Sequence, residues 1–176
     1  MSQRQFLSFM LGNEEYGVDI KHVHEILTWK EITAIPNTPS YVLGVMNLRG
    51  SIIPIVDMRR RFCMSEKPAD DHTVIMILNL KGRDKTRIAG LMVDSVRDVY
   101  DIDDEQIASP PDFGSGIDTD FISGLATLRK EDQDTENLII LVELSQLLDA
   151  DMLSRSSDVD ANIAPEEEID PTPLAS

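Results

Sequence analysis

Two apolar, β-branched runs separated by Asn47-Leu48-Arg49-Gly50 constrain this chain more than any other feature. Val42-Leu43-Gly44-Val45-Met46 precedes that tetrapeptide and Ser51-Ile52-Ile53-Pro54-Ile55-Val56-Asp57 follows it. Val, Ile and Leu suit a pleated surface against a core. A glycine beside the tip supplies the positive φ of a tight turn. The segment therefore predicts a β-hairpin with Arg49 near its tip.

Other short runs point the same way. Gln5–Leu11 and Tyr16–Asp19 flank Gly12-Asn13-Glu14-Glu15 as a further hairpin signal. Thr73–Leu80 and Arg87–Val93 are strongly apolar strand candidates joined by the basic tip Lys81-Gly82-Arg83-Asp84-Lys85, and Val96–Tyr100 is expected to continue their sheet. Phe121–Leu128 and Asn137–Val142 form a last strand pair. Short strands at regular spacing predict an all-β class of the barrel kind with short helices. Asp19 is expected to cap one helix, on which Val23, Ile26 and Leu27 recur at helical spacing, and Asp57 a second one running through Phe62. Asp103–Ile107 reads as a helical turn, Pro110–Asp120 as an irregular loop, and Glu143–Leu153, with Leu144, Leu147 and Leu148 on one face, as the best helix.

Charge narrows the partners. The 176 residues carry a formal net charge of −16, which opposes binding to nucleic acid or to an anionic membrane surface and leaves proteins as the expected partners. The single cysteine, Cys63, precludes an internal disulfide and fits a reducing compartment. The N-terminus has no signal-like apolar region and no later run is long enough to cross a bilayer, so a cytoplasmic location is expected. Residues 154–176 set six acids against Arg155 and contain three prolines. Such a segment buries too little to offset its ordering entropy, which predicts a 1–153 domain followed by a 154–176 acidic disordered tail.

Catalytic patterns are missing. There is no Gly-x-x-x-x-Gly-Lys phosphate loop, no Gly-x-Ser-x-Gly elbow, no His-Glu-x-x-His and no Cys-x-x-Cys. His22 and His24 are badly spaced for a shared metal, and His72 lies in a loop. Asp101–Gln106 lacks the glycine that a calcium loop needs at its sixth position. Neither a cofactor nor a metal is expected, and the chain reads as a non-catalytic binding module.

Leu11–Ile20, Val23-His24-Glu25-Ile26, Ile35-Pro36-Asn37-Thr38-Pro39 and the hairpin with Asp57-Met58-Arg59, in this order and spacing, resemble the CheW family of bacterial chemotaxis coupling proteins. The resemblance runs from about Gln5 to Leu148 and leaves the tail unmatched. It implies two small five-stranded β-barrel subdomains that share a hydrophobic core, with a C-terminal helix. It also implies an adaptor that couples the cytoplasmic tips of methyl-accepting chemoreceptors to the regulatory domain of the histidine kinase CheA, recruited to membrane receptor arrays through these partners. Alternatives are a CheV-like coupling module without its receiver, or a scaffold serving a non-flagellar chemosensory pathway.

By the same resemblance, Val23, Glu25, Gly44, Arg49, Val74 and Val99 match partner-contact positions, and Phe113 matches a second kinase contact. Residue type alone reads Val74 and Val99 as core. Gly44 also fits a place where two backbones approach closely. Glu25 and Arg49 can order each other as an ion pair at a helix end and a turn tip. Phe113, between Pro110-Pro111-Asp112 and Gly114-Ser115-Gly116, is an aromatic hard to bury and so a candidate anchor. Truncation before Ser154 is expected to leave thermal melting and partner binding unchanged; loss of either on removing the tail would make it a functional element.

Overall fold

A computed structural model describes residues 2–81, 86–112, 121–129 and 134–144. The basic hairpin tip at 82–85, Phe113 with most of its loop, nearly all of the expected C-terminal helix and the whole acidic tail lie outside the described residues.

The strands are β1 (Gln3–Leu11), β2 (Glu14–Asp19), β3 (Val23–Thr28), β4 (Val42–Leu48), β5 (Ser51–Asp57), β6 (Val74–Lys81), β7 (Thr86–Val93), β8 (Ser95–Asp103), β9 (Ile107–Ala108), β10 (Ile122–Arg129) and β11 (Glu136–Val142). They form a six-stranded sheet, β8-β1-β2-β11-β10-β9, and a five-stranded one, β3-β6-β7-β5-β4. The expected five and five thus become six and five, because the two-residue β9 pairs with β10. Both sheets follow one plan. Two antiparallel hairpins are joined side by side through a parallel pair, β2 with β11 in one sheet and β5 with β7 in the other. A further strand flanks each, β8 beside β1 and β3 beside β6.

Burial explains why the central runs read as continuously apolar. Alternate side chains of one strand enter different cores. On β6, Ile75 and Ile77 fill the interior of the five-stranded lobe with Met46, Ile53 and Ile55, whereas Met76, Leu78 and Leu80 face the core shared between the sheets. On β11, Ile139 and Leu141 pack with Phe6, Ile102 and Ala126 inside the six-stranded lobe, and Val142 turns to the shared core. The shared core joins Leu7, Phe9, Leu11, Tyr16 and Val18 of β1 and β2 to Val56, Met58, Leu91 and Val93 of the other lobe. Phe9, Tyr16, Phe62 and Phe121 stack in sequence across it, with ring centroids 5.7, 5.3 and 4.7 Å apart.

Two expectations are corrected. The segment from Ile20 is not an amphipathic helix: a single 3₁₀ turn, Ile20–His22, is capped by Asp19, whose Oδ1 accepts the Lys21 N–H at 3.1 Å, and the chain then enters β3. Val23, Glu25 and Leu27 are half-buried while His24, Ile26 and Thr28 are exposed, the period of a strand. Pairing with β6 supplies the backbone partners that so short a helix could not. Val96–Tyr100, in turn, does not continue the sheet of β7. The chain crosses between lobes at Asp94, and β8 pairs with β1. Its β-bulge, opposite Ser8, leaves the Asp98 N–H without a ladder partner, and the buried Ser8 Oγ accepts it at 3.2 Å.

The Asp57 cap is observed. Its Oδ1 accepts the Arg59 N–H at 2.9 Å and opens α1 (Met58–Arg61). The helix closes after one turn, as the Cys63 N–H donates to Arg60 O at 3.1 Å and the Met64 N–H to Arg59 O at 2.7 Å, with Cys63 at φ 56°. Arg59 leaves this helix to meet Asp94 at the crossover. Its Nε donates to Asp94 Oδ1 at 2.7 Å and its Nη1 to the Ser65 carbonyl at 2.9 Å. Asp94 Oδ2 also accepts the Gly12 N–H at 2.8 Å, while the Asp94 N–H donates to Met10 O at 3.1 Å. One carboxylate therefore ties the β1–β2 turn, the crossover and α1 together.

Burial raises the proton affinity of Asp94, but the Arg59 hydrogen bond and charge and the Gly12 N–H outweigh it and hold the carboxyl below its ordinary value. A folded-state value below the unfolded one, about 3.9, adds stability that is full above that pH and is lost as pH falls below it. Asp57 runs the other way, pushed up by burial against its backbone hydrogen bonds. Asp94→Asn should therefore lower stability at pH 7 and flatten the acid limb of the stability curve relative to wild type. Arg59→Ala, which strands a largely buried carboxylate, should cost on the order of 3 kcal/mol in denaturant melts. An unchanged acid limb in Asp94→Asn would show that the clamp contributes nothing.

Candidate functional site

The β4–β5 hairpin is tight. Leu48 pairs with Ser51, so Arg49 and Gly50 alone form the loop, with φ of 50° and 88°. Positive φ at both central positions is the type I′ geometry, which matches the twist of the flanking strands. Gly50 serves this by conformation and not by space, since a Cβ there would meet nothing within 4 Å. Asn47 Oδ1 accepts the Gly50 N–H at 2.9 Å.

Arg49 reaches from this tip to Glu25 on β3. Both of its terminal nitrogens donate to the carboxylate, Nη1 to Oε2 at 3.4 Å and Nη2 to Oε1. The arginine side chain is 67% exposed and the glutamate 25%, so the pair lies at the surface with its cation outermost. Glu25 holds it from a strand, correcting the expected helix end. Because β3 and β4 are the two outer strands of the five-stranded sheet, the pair spans the gap between its edges.

The same gap is closed below by backbone. Thr33, in the connector after β3, forms an isolated antiparallel bridge with Val45, donating its N–H to Val45 O at 3.0 Å and accepting the Val45 N–H at 2.9 Å. Gly44 makes this possible. A Cβ on Gly44 would lie 2.0 Å from Thr33 O and 2.6 Å from Thr33 C, and its φ of 148° disfavours any side chain. Gly44 is buried under its own connector, the close-approach reading, so a substitution there acts first on lobe closure.

The remaining positions separate. Val23 and Val74 are half-buried and pack on the shared core, as their residue type suggests. Val99 is 47% exposed, opposite Leu7 on β8 in the other sheet, so the expectation that it is core does not hold for it. Phe113 lies outside the described residues. Sequence reasoning missed Thr33, for which no local signal exists, and Asn47, whose position three residues before a turn glycine was such a signal. Among the described residues no group of His, Cys, Asp and Glu is placed to hold a metal, and no helix is long and apolar enough to cross a membrane. The His24 ring, on β3, has its Nδ1 3.4 Å from Asn79 Nδ2.

This two-lobed all-β scaffold is the fold of a CheW-like domain, and that family's description matches residues 5–152. The chain belongs to the CheW family of chemotaxis proteins. It is 38% identical over 156 residues to the chemotaxis protein CheW of Klebsiella aerogenes, covering 89% of this chain and 88% of that protein. It is 37% identical to a probable chemotaxis protein CheW of Rhizobium etli, covering 82% and 86%. Among solved structures, the scaffolding protein TtCheW from Thermoanaerobacter tengcongensis superposes with a TM-score of 0.71 at 35% identity, covering 86% of this chain and 96% of that one. Membership of this scaffold family makes the protein a non-enzyme.

Gly44→Ala should lower the melting temperature of the whole domain, because its methyl must displace the Thr33–Ala34 backbone. Arg49→Ala should hardly move it, an exposed pair being worth about 0.2 to 1 kcal/mol. Equal melting of the two variants would mean that the seam does not depend on Gly44.

Proposed function

We propose that this chain is the cytoplasmic adaptor that holds chemoreceptor tips and the regulatory domain of CheA together, so that receptor state reaches the kinase. The observation that carries this is a family match spanning both lobes, together with a surface-presented Arg49–Glu25 pair at positions that the family resemblance assigns to partner contact. Such a module needs rigidity more than chemistry. Arg49 offers donors free to turn toward an acceptor on a partner, and Glu25 keeps the guanidinium from sweeping through many rotamers, which lowers the entropy lost on binding.

Val99 provides an apolar contact from the six-stranded sheet, and Val23 and Val74 support the surface from beneath. Phe113 is the anchor for a second contact to the kinase, the one that extends binary complexes into an array. With no membrane-crossing helix among the described residues, recruitment to the membrane runs through the receptors.

The test is reconstitution with CheA and a receptor signalling fragment. Wild-type protein should raise kinase autophosphorylation only when receptor is present, and Arg49→Ala should lose most of that stimulation while melting like wild type. Stimulation without receptor, or full coupling by Arg49→Ala, would overturn the assignment.

A further inference from the structure

We infer that Asn47 is a positioning residue for Arg49, setting the turn conformation from which the guanidinium is presented. This rests on the coupling role given to Arg49 above. In a two-residue hairpin the flanking residues satisfy each other across the ladder, and the amides of the loop residues are left over. The Gly50 N–H is one of these, and the Asn47 side chain takes it at 2.9 Å. Short polar side chains form such local bonds to backbone amides three residues away, which is why they favour turns.

The bond matters because of what lies between its ends. Arg49 sits inside the ring that Asn47 closes onto Gly50, and it is one of only three non-glycine residues with positive φ among the described residues, with Asn37 and Cys63. An arginine does not choose the left-handed region unaided. Asn47 fastens the backbone on one side of Arg49 and Glu25 fastens the side chain on the other. Asn47 itself is exposed and paired opposite Ile52, so its loss opens no cavity in the core. Its effect on coupling should therefore run entirely through Arg49.

Asn47→Ala and Asn47→Asp separate this from a generic structural role, since aspartate keeps an acceptor where alanine does not. Amide exchange at Gly50 should quicken about fivefold in Asn47→Ala, the typical net worth of one hydrogen bond, and return to the wild-type rate in Asn47→Asp, with all three proteins melting within a few degrees of one another. In the reconstituted kinase assay Asn47→Ala should lose coupling, Asn47→Asp should recover it, and Asn47→Ala should add nothing in an Arg49→Ala background. Unchanged Gly50 exchange in Asn47→Ala, or a coupling loss that adds to that of Arg49→Ala, overturns the inference. If Arg49→Ala alone couples normally, the adaptor reading of Arg49 fails, and Gly50 exchange then decides by itself whether Asn47 sets the turn.

Discussion

Burial on both faces of the central strands is the constraint from which the rest of this structure follows. A strand such as β6 sends Ile75 and Ile77 into the interior of its own lobe and Met76 and Leu78 into the core between lobes. A slip of one residue would exchange the two sets and misfill both cores at once. The register of each lobe is thereby locked by the presence of the other. The surface side chains of each lobe inherit their rigidity from this arrangement.

Within that frame, polar groups appear where the apolar plan leaves a joint. Asp94 stands at the crossover, Asp57 at the entry to α1 and Ser8 opposite the bulge in β8, and each accepts backbone N–H groups that the ladders do not reach. The Gly12 amide is exposed and those of Arg59 and Asp98 are part-buried, so each bond fastens its joint with about the 1 kcal/mol of an ordinary hydrogen bond. Arg59 completes the most demanding of them. It keeps the Asp94 charge compensated in a place where both side chains are only 13% exposed.

The seam between β3 and β4 assigns different duties to neighbouring residues. Gly44 and Thr33 let the lobe close, whereas Glu25 and Arg49 occupy the surface of the closed seam. Substitutions a few residues apart are thus expected to fail for unrelated reasons, one by opening the lobe and the other by changing what it presents. The exposed Val99 lies on a different sheet. A contact surface that includes it must draw on both lobes.

Local signals were enough for local structure. The Arg49-Gly50 hairpin, the Asp57 cap, the helical turn after Asp103 and the β10–β11 pair were legible because each depends on residues close in the chain. The β3 segment was not, since Val23, Ile26 and Leu27 fit a helical period, whereas the alternation from Val23 to Thr28 is one of burial alone, with Glu25 half-buried and Ile26 exposed, and comes with the pairing to β6. Motif order pointed to the family, and the resemblance with the opposite charges of Glu25 and Arg49 suggested their ion pair, which the structure forms from a strand and not a helix end. What the tertiary structure decided was which side of each apolar run meets which core, where the chain changes sheet at Asp94, and that Gly44 lies under Thr33. These are contacts between segments distant in sequence, and their energies depend on an approach of backbones and a sharing of cores that no short stretch of residues encodes.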